Sequence, residues 1–372
     1  MKRKVLHVID SLDLGGAQTL LLDICKHTDE GRFDVEVACM HGFGVFAGKF
    51  MKAGINVQSL SPEKWPPSYV ARFLDLLKRS DPDILHFHLF GSNLIAKPLA
   101  ALAGKRALIS HDHCNDAGRG NPIVLLADTL ANRLSSRVIA VSCSVRDFLV
   151  RHESIDPDRV VTLANGIDAE EFCPVNEIQK EEAKRLLGIS KKAFVVGGVG
   201  RLVPQKNFAV FLDVAAQVIA KNPEVVFVIA GTGPQEAELK TRAVALGLGN
   251  QVRFLGHVTE RASLYHAFNV LLMTSDFEGT PMTLLEAMAG ELPVVASAVD
   301  GVAEVCGNER DALLVPARDV QGFVSALERI ITEKKFARRL GVNARATILK
   351  GYEIRGLVRR IEVLYEAVLE EQ

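Results

Sequence analysis

The chain has 372 residues, 48% of them hydrophobic and 24% charged, which is enough for two α/β domains with sizeable cores. A net charge of −1 excludes a general electrostatic affinity for nucleic acid, so no nucleic-acid partner is expected. The six cysteines are scattered without a Cys-x-x-Cys pair, which predicts reduced thiols and a cytoplasmic protein. No apolar run reaches the roughly 18–20 residues of a membrane span.

Short apolar runs alternate with amphipathic segments along the first half, which predicts parallel strands that alternate with helices. The predicted strands are residues 5–9, 35–40, 56–60, 84–88, 107–111, 138–141 and 160–163. The predicted helices are residues 17–25, 46–53, 69–79, 93–103, 124–134 and 145–152, the last capped by Ser142.

The second half repeats the same alternation after a polar stretch at 170–192 that contains one short helix, 180–187. Its predicted strands are residues 194–199, 225–230, 252–255, 270–273, 293–297 and 313–315. Its predicted helices are residues 208–220, 236–246, 262–268, 281–289, 320–332, 335–349 and 354–369. The sequence therefore predicts an α/β protein with two doubly wound parallel sheets.

A glycine pair, Gly15-Gly16, follows the first strand and opens the first helix. Backbone amides in such a turn can bind a phosphate or sugar oxygen. The Gly-x-Gly-x-x-Gly spacing of a dinucleotide site is missing, so this turn does not indicate a nicotinamide or flavin cofactor.

Two histidine pairs stand at the carboxyl ends of predicted strands: His86 with His88, and His111 with His113. Residues i and i+2 of a strand point to the same side, so each pair is able to converge. Three interpretations remain open: a zinc cluster that includes Cys114, structural histidines at strand ends, or a contact with a sugar substrate.

The strand at 194–199 ends in a glycine-rich turn that carries Arg201 and Lys206. Asn207 then caps the next helix. Two cations beside a helix N-terminus suit a diphosphate group.

The stretch from Ser275 to Gly290 predicts a strand end, a loop and a helix with Thr280 as N-cap and Pro281 at its first position. Glu278 lies in the loop, and Glu286 is an acid on an otherwise apolar helix. A buried acid needs partners, and a vicinal diol such as a ribose could bind both oxygens of Glu286. An ordinary, partly solvated helix glutamate is the alternative.

Gly200-Arg201-x4-Lys206, followed by Glu278-x7-Glu286, resembles the retaining family-4 glycosyltransferases with the two-domain GT-B fold. The resemblance covers nearly the whole chain and is strongest from Gly197 to Glu304. It implies two Rossmann-like domains that face a cleft. The implied boundaries are an acceptor-side domain at 1–168 completed by a C-terminal helix at 353–372, a linker at 169–192, and a nucleotide-sugar domain at 193–352.

The resemblance implies that two cations bind the departing diphosphate. It also implies that Glu278 contacts the sugar and that His111 lies near the sugar hydroxyls. It also implies a wider donor site and further sugar or acceptor contacts. The implied catalytic residues are Arg201, Lys206, Glu278 and His111. The implied donor-binding residues are Gly15, Gly16, Arg201, Lys206, Val258, Glu278, Gly279, Thr280, Pro281, Met282, Thr283, Leu284 and Glu286. The candidate sugar or acceptor contacts are His88, His113 and Asn165.

Metal-dependent transferases often hold their cation with Asp-x-Asp, and this chain has Asp81-Pro-Asp83 and Asp156-Pro-Asp158. Both stand in turns before strands, which favours turn chemistry. Arg201 and Lys206 are better placed to replace a metal, so we expect no metal and no cofactor besides the nucleotide-diphosphate sugar. The resemblance implies retention of anomeric configuration by a front-face route.

The partners implied are a UDP- or GDP-sugar donor and a glycan or lipid-linked acceptor of surface polysaccharide or glycolipid assembly. A hexosyltransferase of this kind would touch the inner face of the membrane peripherally, through Lys64 and Trp65 or Lys78 and Arg79. Two other classes remain: a nucleotide-sugar epimerase or sugar-phosphate synthase on the same fold, and a non-catalytic nucleotide-sugar-binding subunit.

Overall fold

The computed structural model describes residues 2–13, 15–61, 68–113 and 122–372, and they form two compact units. The first unit comprises Met1–Gly166 with Ile354–Gln372, and the second comprises Ile167–Glu353. Each unit is built on one parallel sheet, which confirms the predicted α/β class with two Rossmann-like domains.

The first unit contains a seven-stranded sheet in the order β3-β2-β1-β4-β5-β6-β7. Its strands are β1 (Arg3–Ile9), β2 (Phe33–Cys39), β3 (Asn56–Ser59), β4 (Ile84–His88), β5 (Leu108–Asp112), β6 (Arg137–Ala140) and β7 (Val160–Thr162). The chain order reverses between β1 and β4, so this pair is the switch point at which ligands of doubly wound sheets bind.

Helices cover this sheet, and the last of them comes from the C-terminus of the chain. They are α1 (Gly16–His27), α2 (Ala47–Lys52), α3 (Ser68–Ser80), α4 (Leu89–Gly91), α5 (Lys97–Leu102), α6 (Pro122–Asn132), α7 (Cys143–Arg151) and α16 (Ile354–Glu370). A π-helical turn, Ser92–Ala96, joins α4 to α5. Ser142 caps α7 as predicted, because its Oγ accepts a hydrogen bond from the Val145 amide at 3.2 Å.

The C-terminal helix α16 is fixed in the first unit by buried and charged contacts. Glu362 accepts a hydrogen bond from the Asp29 amide at 2.8 Å and pairs with Arg32 at 3.2 Å. Tyr365 is fully buried, and its hydroxyl lies 2.7 Å from Nδ1 of His86. Burying an aromatic ring of this size contributes roughly 1.5–3 kcal/mol, so α16 is an integral part of the first unit.

The second unit contains a six-stranded sheet in the order β10-β9-β8-β11-β12-β13. Its strands are β8 (Phe194–Val199), β9 (Val225–Ala230), β10 (Val252–Gly256), β11 (Val270–Met273), β12 (Val294–Ser297) and β13 (Leu313–Val315). The switch point of this sheet lies between β8 and β11. Those two strands precede the glycine-rich turn and the Glu278 loop.

Helices also cover the second sheet. They are α8 (Glu177–Leu186), α9 (Phe208–Lys221), α10 (Glu236–Ala245), α11 (Arg261–His266), α12 (Met282–Ala289), α13 (Asp300–Val305), α14 (Val320–Thr332) and α15 (Lys334–Gly351). Phe211, Phe227 and Phe323 are fully buried between this layer and the sheet.

Residues 169–192, expected to form a linker, cluster with the second unit instead. The reason is local packing: Ala183 of α8 is buried, and the Lys184 ammonium donates a 2.9 Å hydrogen bond to the carbonyl of Ala193. A capping box at Asn176 and Gln179 starts α8 three residues earlier than predicted. The segment is therefore the first helix of the second unit.

Candidate active site

The turn after β8 carries Arg201 and Lys206 and is shaped by glycines. Gly200 has a φ of 155°, and a Cβ on Gly231 would lie 1.8 Å from the carbonyl oxygen of Gly200. Only glycine permits this approach of the two backbones. The turn continues as a 3₁₀ helix, Pro204–Lys206, and α9 then begins at Phe208 with Asn207 as its N-cap, as predicted.

The loop after β11 is held against this turn by hydrogen bonds. The Thr274 hydroxyl donates to the carbonyl of Asn207 at 3.0 Å, and Gln205 donates to the carbonyl of Phe277 at 3.0 Å. Asp276 accepts from the Asn207 amide group at 3.0 Å and from the Arg318 guanidinium at 2.8–2.9 Å. The turn after β8 (200–207) and the loop after β11 (274–279) are thus joined into one continuous rim at the carboxyl ends of these neighbouring strands.

Lys206 and Glu278 meet on this rim. Nζ of Lys206 lies 2.5 Å from Oε1 of Glu278, and the Ser275 hydroxyl donates to the same oxygen at 2.6 Å. The Lys206 side chain is 17% exposed and that of Glu278 only 5%. The pair is therefore shielded from solvent, which strengthens its electrostatic interaction with anything that binds beside it.

Arg201 differs from Lys206 because it is exposed and forms no ion pair with a residue that the structure describes. Its neighbour Leu202 is fully buried, and the Leu202 amide donates to the carbonyl of Thr232 at 2.9 Å. The backbone at this point is fixed while the guanidinium is left available for an anion.

The loop Gly279-Thr280-Pro281, predicted to contact the donor and called the donor loop below, leads into α12, which begins at Met282 with Pro281 as N-cap. This start is one residue later than predicted, because the Pro281 carbonyl accepts from the amides of Leu284 and Leu285 at 3.1 and 3.3 Å. Thr280 is buried in front of the helix. A Cβ on Gly301 would lie 1.7 Å from the carbonyl oxygen of Gly279, so α13 packs directly on the loop.

We expect Gly301→Ala to distort the donor loop and to destabilise the protein by about 1–3 kcal/mol, because the added methyl overlaps backbone that cannot rotate away. Gly356→Ala is the matched control: its Cβ meets open space on α16, so it should stabilise by about 0.5–1 kcal/mol. Thermal unfolding of both variants checks this. A Gly301→Ala protein as stable as wild type would contradict the packing described.

Glu286 lies inside α12, and its side chain has no exposed surface. Nη1 of Arg261 lies 2.7 Å from Oε1, and the Tyr265 hydroxyl donates to Oε2 at 2.8 Å. Burial raises the pKa of Glu286, while Arg261 and the Tyr265 hydrogen bond oppose that rise. The predicted ribose contact stays a prediction.

Four further predicted donor residues, Val258, Met282, Thr283 and Leu284, also lie in the second unit. Val258 is half-buried in the loop after β10, and Thr283 is half-buried on the first turn of α12. Met282 and Leu284 are buried. These two side chains therefore support α12, and only their backbone is available for a ligand contact.

The remaining predicted residues belong to the first unit, mostly near its switch point. Gly15 precedes α1 in extended backbone and Gly16 is the first residue of that helix. His88 ends β4, while His111 is the fourth residue of β5 and His113 follows that strand. Asn165 follows β7 and is 5% exposed. Leu14, Cys114 and the Lys64-Trp65 loop lie outside the described residues.

Carboxylates of both Asp-Pro-Asp motifs form hydrogen bonds or ion pairs with other groups of the protein. The carboxylate of Asp156 accepts from the Asp158 amide at 3.0 Å. Asp83 accepts from the Lys4 amide at 2.8 Å, and Asp81 pairs with Lys105 at 2.5 Å. The Asp156 contact is the predicted kind of turn hydrogen bond, whereas Asp81 and Asp83 bond to residues outside their own turn.

Sequence analysis missed three partners of the two glutamates: Ser275, Arg261 and Tyr265. Arg261 and Tyr265 are four residues apart on the short helix α11, which places them on one face. That spacing alone did not distinguish them from surface residues. Arg261 and Tyr265 reach Glu286 only because α11 packs against α12, which the sequence does not show.

The fold and the cation–carboxylate rim define a class of protein: two-domain glycosyltransferases of the GT-B fold. The model for "Glycosyl transferases group 1" matches residues 179–347, and that for "Glycosyltransferase Family 4" matches residues 14–171. The chain belongs to the family-4 glycosyltransferases.

Two relatives and one solved structure illustrate the likeness. A UDP-Gal:alpha-D-GlcNAc-diphosphoundecaprenol alpha-1,3-galactosyltransferase of Escherichia coli is 29% identical over 78% of this chain and 76% of its own length. The lipopolysaccharide core biosynthesis mannosyltransferase LpsB of Rhizobium meliloti is 30% identical over 67% of this chain and 76% of its own length. The structure of Anabaena HepE with UDP and glucose has a TM-score of 0.89 at 22% identity, and the match covers 98% of this chain and 99% of that one.

Proposed function

We propose that this glycosyltransferase transfers a sugar from a nucleotide-diphosphate sugar to a glycan or lipid-linked acceptor with retention of anomeric configuration. The observation that carries the proposal is the Lys206–Glu278 pair at the switch point of the second sheet, near the exposed cation Arg201. A diphosphate bound here meets two positive charges, and a sugar on that diphosphate meets the Glu278 carboxylate. Charge stabilisation of the leaving group is usually the largest catalytic term.

In the proposed step the bond between the anomeric carbon and the diphosphate oxygen breaks, and the acceptor oxygen bonds to the same carbon. The acceptor hydroxyl gives its proton to the departing phosphate on the same face. Glu278 is engaged by Lys206 and Ser275, which supports a binding role rather than nucleophilic attack. The departing phosphate of the donor is therefore the base that accepts the proton of the acceptor hydroxyl.

The relatives suggest which substrates to test first. Solved structures of similar fold contain UDP or UDP-glucose, and the Escherichia coli relative is named for UDP-galactose and a diphosphoundecaprenol acceptor. We infer a UDP-sugar donor and a lipid-diphosphate sugar acceptor for this chain. A thermal-shift screen of UDP- and GDP-sugars at equal concentration ranks the donors, because a ligand that binds more tightly stabilises the folded protein more.

Incubation with radiolabelled donors tests the function itself. Transfer to an acceptor, or slow donor hydrolysis without one, is the expected result. An isomerised donor would instead indicate an epimerase, and binding without turnover would indicate a nucleotide-sugar-binding subunit. Arg201→Ala should slow transfer of the label, because it removes the exposed cation proposed to bind the diphosphate while the Lys206–Glu278 pair stays in place.

Transfer should survive chelation, because Lys206 and Arg201 already supply the positive charge that a metal ion would bring to the diphosphate. We expect initial rates in EDTA within about twofold of those in Mg²⁺, well below the tenfold change that 1.4 kcal/mol represents. The measurement is a side-by-side rate assay after dialysis. Loss of activity in EDTA with recovery on adding Mg²⁺ would contradict metal-free transfer.

We also propose peripheral contact with the cytoplasmic face of a membrane, to which a lipid-linked acceptor is confined. Within the residues described, no helix is long and apolar enough to cross a bilayer. Lys78 and Arg79, at the exposed end of α3, should attract anionic lipid. We expect sedimentation with anionic vesicles at low salt, reduced in a Lys78→Glu/Arg79→Glu double variant; equal sedimentation of both proteins would rule out this surface.

A further inference from the structure

Five histidines lie on one face of the first sheet at its switch point. Strand register places His7 of β1 opposite His86 of β4, and His88 opposite His111 of β5. Because residues two apart on a strand share a face, His88 follows His86 and His113 follows His111 on that same side. His7, His86, His88 and His111 have no exposed surface.

Three of these imidazoles converge at the carboxyl ends of β4 and β5. Each of His88, His111 and His113 offers one ring nitrogen, and the three nitrogens lie within 4.8 Å of one another. Nδ1 of His88 is 3.4 Å from Nε2 of His113, which is longer than a good hydrogen bond. It is close to the edge of about 3.3 Å that a tetrahedral ion with metal–nitrogen bonds of about 2.0–2.1 Å requires.

The ring of His111 independently indicates a missing partner at this place. It is fully buried, and neither of its nitrogens has a hydrogen-bond partner among the described residues. An unpaired buried polar group costs about 1–3 kcal/mol, so such groups call for a partner. Its ring stacks on that of His113, with centroids 4.4 Å apart and planes 13° apart, so the two rings are in direct contact.

The neighbourhood of His88 matches the surroundings of a metal ligand. Nδ1 of His7 lies 3.0 Å from Nε2 of His88, which leaves Nδ1 of His88 directed at the triad. Metal-binding histidines usually engage their second nitrogen in such a hydrogen bond, which fixes the tautomer. Burial also holds the pKa of His88 and His111 well below the usual value and lowers that of His113 to about 4, so the rings are neutral ligands at pH 7.

We propose that His88, His111 and His113 bind one first-row divalent ion with a preference for imidazole, Zn²⁺ or a close relative, and leave its fourth position open. His113 is partly exposed, so an ion and a water molecule can enter from that side. Imidazole ligands suit zinc, copper and nickel rather than magnesium.

A second triad, His7 with His86 and His88, is less suited to an ion. All three of its rings are fully buried, so an ion there would have no opening for water. Nδ1 of His86 is already engaged by the Tyr365 hydroxyl at 2.7 Å. His86 therefore serves as a control residue that contributes to this triad but not to the proposed site.

The proposed ion is separate from the chemistry assigned to the second unit. The cations proposed for the diphosphate are Lys206 and Arg201, and the ion would lie in the first unit. Metal binding itself is measured without donor, so it can fail or succeed independently of the proposed function.

The test is titration of the full-length protein, without a histidine tag, with Co²⁺. We expect one Co²⁺ per chain with the intense visible absorption of a four-coordinate ion, displaced by one equivalent of Zn²⁺. His113→Gln should weaken binding at least about 100-fold, since even the loss of a surrounding hydrogen bond costs about 10–100-fold. His86→Gln should bind within about threefold of wild type.

Three results would overturn the proposal: no four-coordinate spectrum in the wild-type protein, equal binding by His113→Gln and wild type, or loss of binding in His86→Gln but not in His113→Gln. Circular dichroism confirms that each variant is folded. X-ray absorption of the wild-type protein with Zn²⁺ gives a readout that needs no variant, and it should show three imidazole nitrogens.

Discussion

Lys206→Ala is expected to lower kcat by about 10²–10³-fold, the usual effect of removing one preorganised group that stabilises developing negative charge. The Lys206 side chain is 17% exposed, on the rim formed by the loops after β8 and β11, so water replaces its charge poorly. Arg201→Ala should also lower kcat, but less, because Arg201 is exposed and solvent screens its charge. Steady-state kinetics with the full donor measures both.

Removing Lys206 also leaves Glu278 without its ion-pair partner, and this second effect must be separated from the first. A double-mutant cycle with Glu278→Gln does so. If Lys206 served only to neutralise Glu278, the double variant would recover much of the activity that Lys206→Ala lost. We expect no recovery, because the diphosphate still lacks its cation.

Two further variants sharpen the result. Lys206→Arg should recover part of the activity, because the guanidinium keeps the charge but not the compact shape of the ammonium. Lys221→Ala is the matched control: this lysine pairs with Glu328 at 2.6 Å on the exposed end of α9, and surface pairs contribute about 0–1 kcal/mol. Wild-type turnover in Lys206→Ala, or an equal loss in Lys221→Ala, would exclude the proposed role.

The sequence predicted four of the six described strands of the second unit to the residue. β8, β9, β11 and β13 begin and end where their apolar runs do. Strands buried on both faces have continuous apolar sequences, and glycine, proline or polar turns mark their ends. Such a pattern is unambiguous without tertiary information.

Short elements governed by tertiary contacts were not predicted. Helix α13 has only six residues, begins with Asp300 at a φ of 27° and has Gly301 as its second residue. No element was predicted at these residues, and Gly301 of this helix packs on the loop at Gly279. The early start of α8 depended on the capping box at Asn176, which the prediction had overlooked.

The candidate site was predictable as a set of residues but not as a set of contacts. Lys206 and Glu278 stood out individually, yet they are 72 residues apart and meet only because β11 lies beside β8. The histidine pairs were recognised from their spacing within each strand. Their convergence, and the addition of His7, required the register between three different strands. Local patterns identify the groups, and strand order brings them together.

Glu278 and Glu286 are expected to affect different steps of the reaction. Glu278 lies beside Lys206 on the rim, where charge develops as the sugar departs. Its loss should act on the transition state. Glu286 lies inside α12 and is proposed to bind the ribose, whose contacts change little during transfer. Interactions that are equal in the ground and transition states act mainly on apparent affinity.

Glu278→Gln should therefore chiefly lower kcat and leave the affinity for free nucleoside diphosphate nearly unchanged. Glu286→Gln should chiefly raise the donor KM and weaken nucleoside diphosphate binding by about 10–100-fold, the equivalent of one hydrogen bond to a charged group. Calorimetric titration with UDP or GDP, beside steady-state kinetics with the full donor, measures both effects.

Tyr265→Phe is the matched control for Glu286, because it removes the hydrogen bond to Oε2 while the carboxylate and its Arg261 partner remain. If Glu286 contacts the nucleotide directly, Tyr265→Phe should retain nucleoside diphosphate affinity within a few-fold, since one acceptor site on the carboxylate is released. If Glu286 only fixes the packing of α11 on α12, both variants should lose affinity together. An opposite division, with Glu278→Gln losing nucleotide affinity and Glu286→Gln keeping it, would mean that the two roles are reversed.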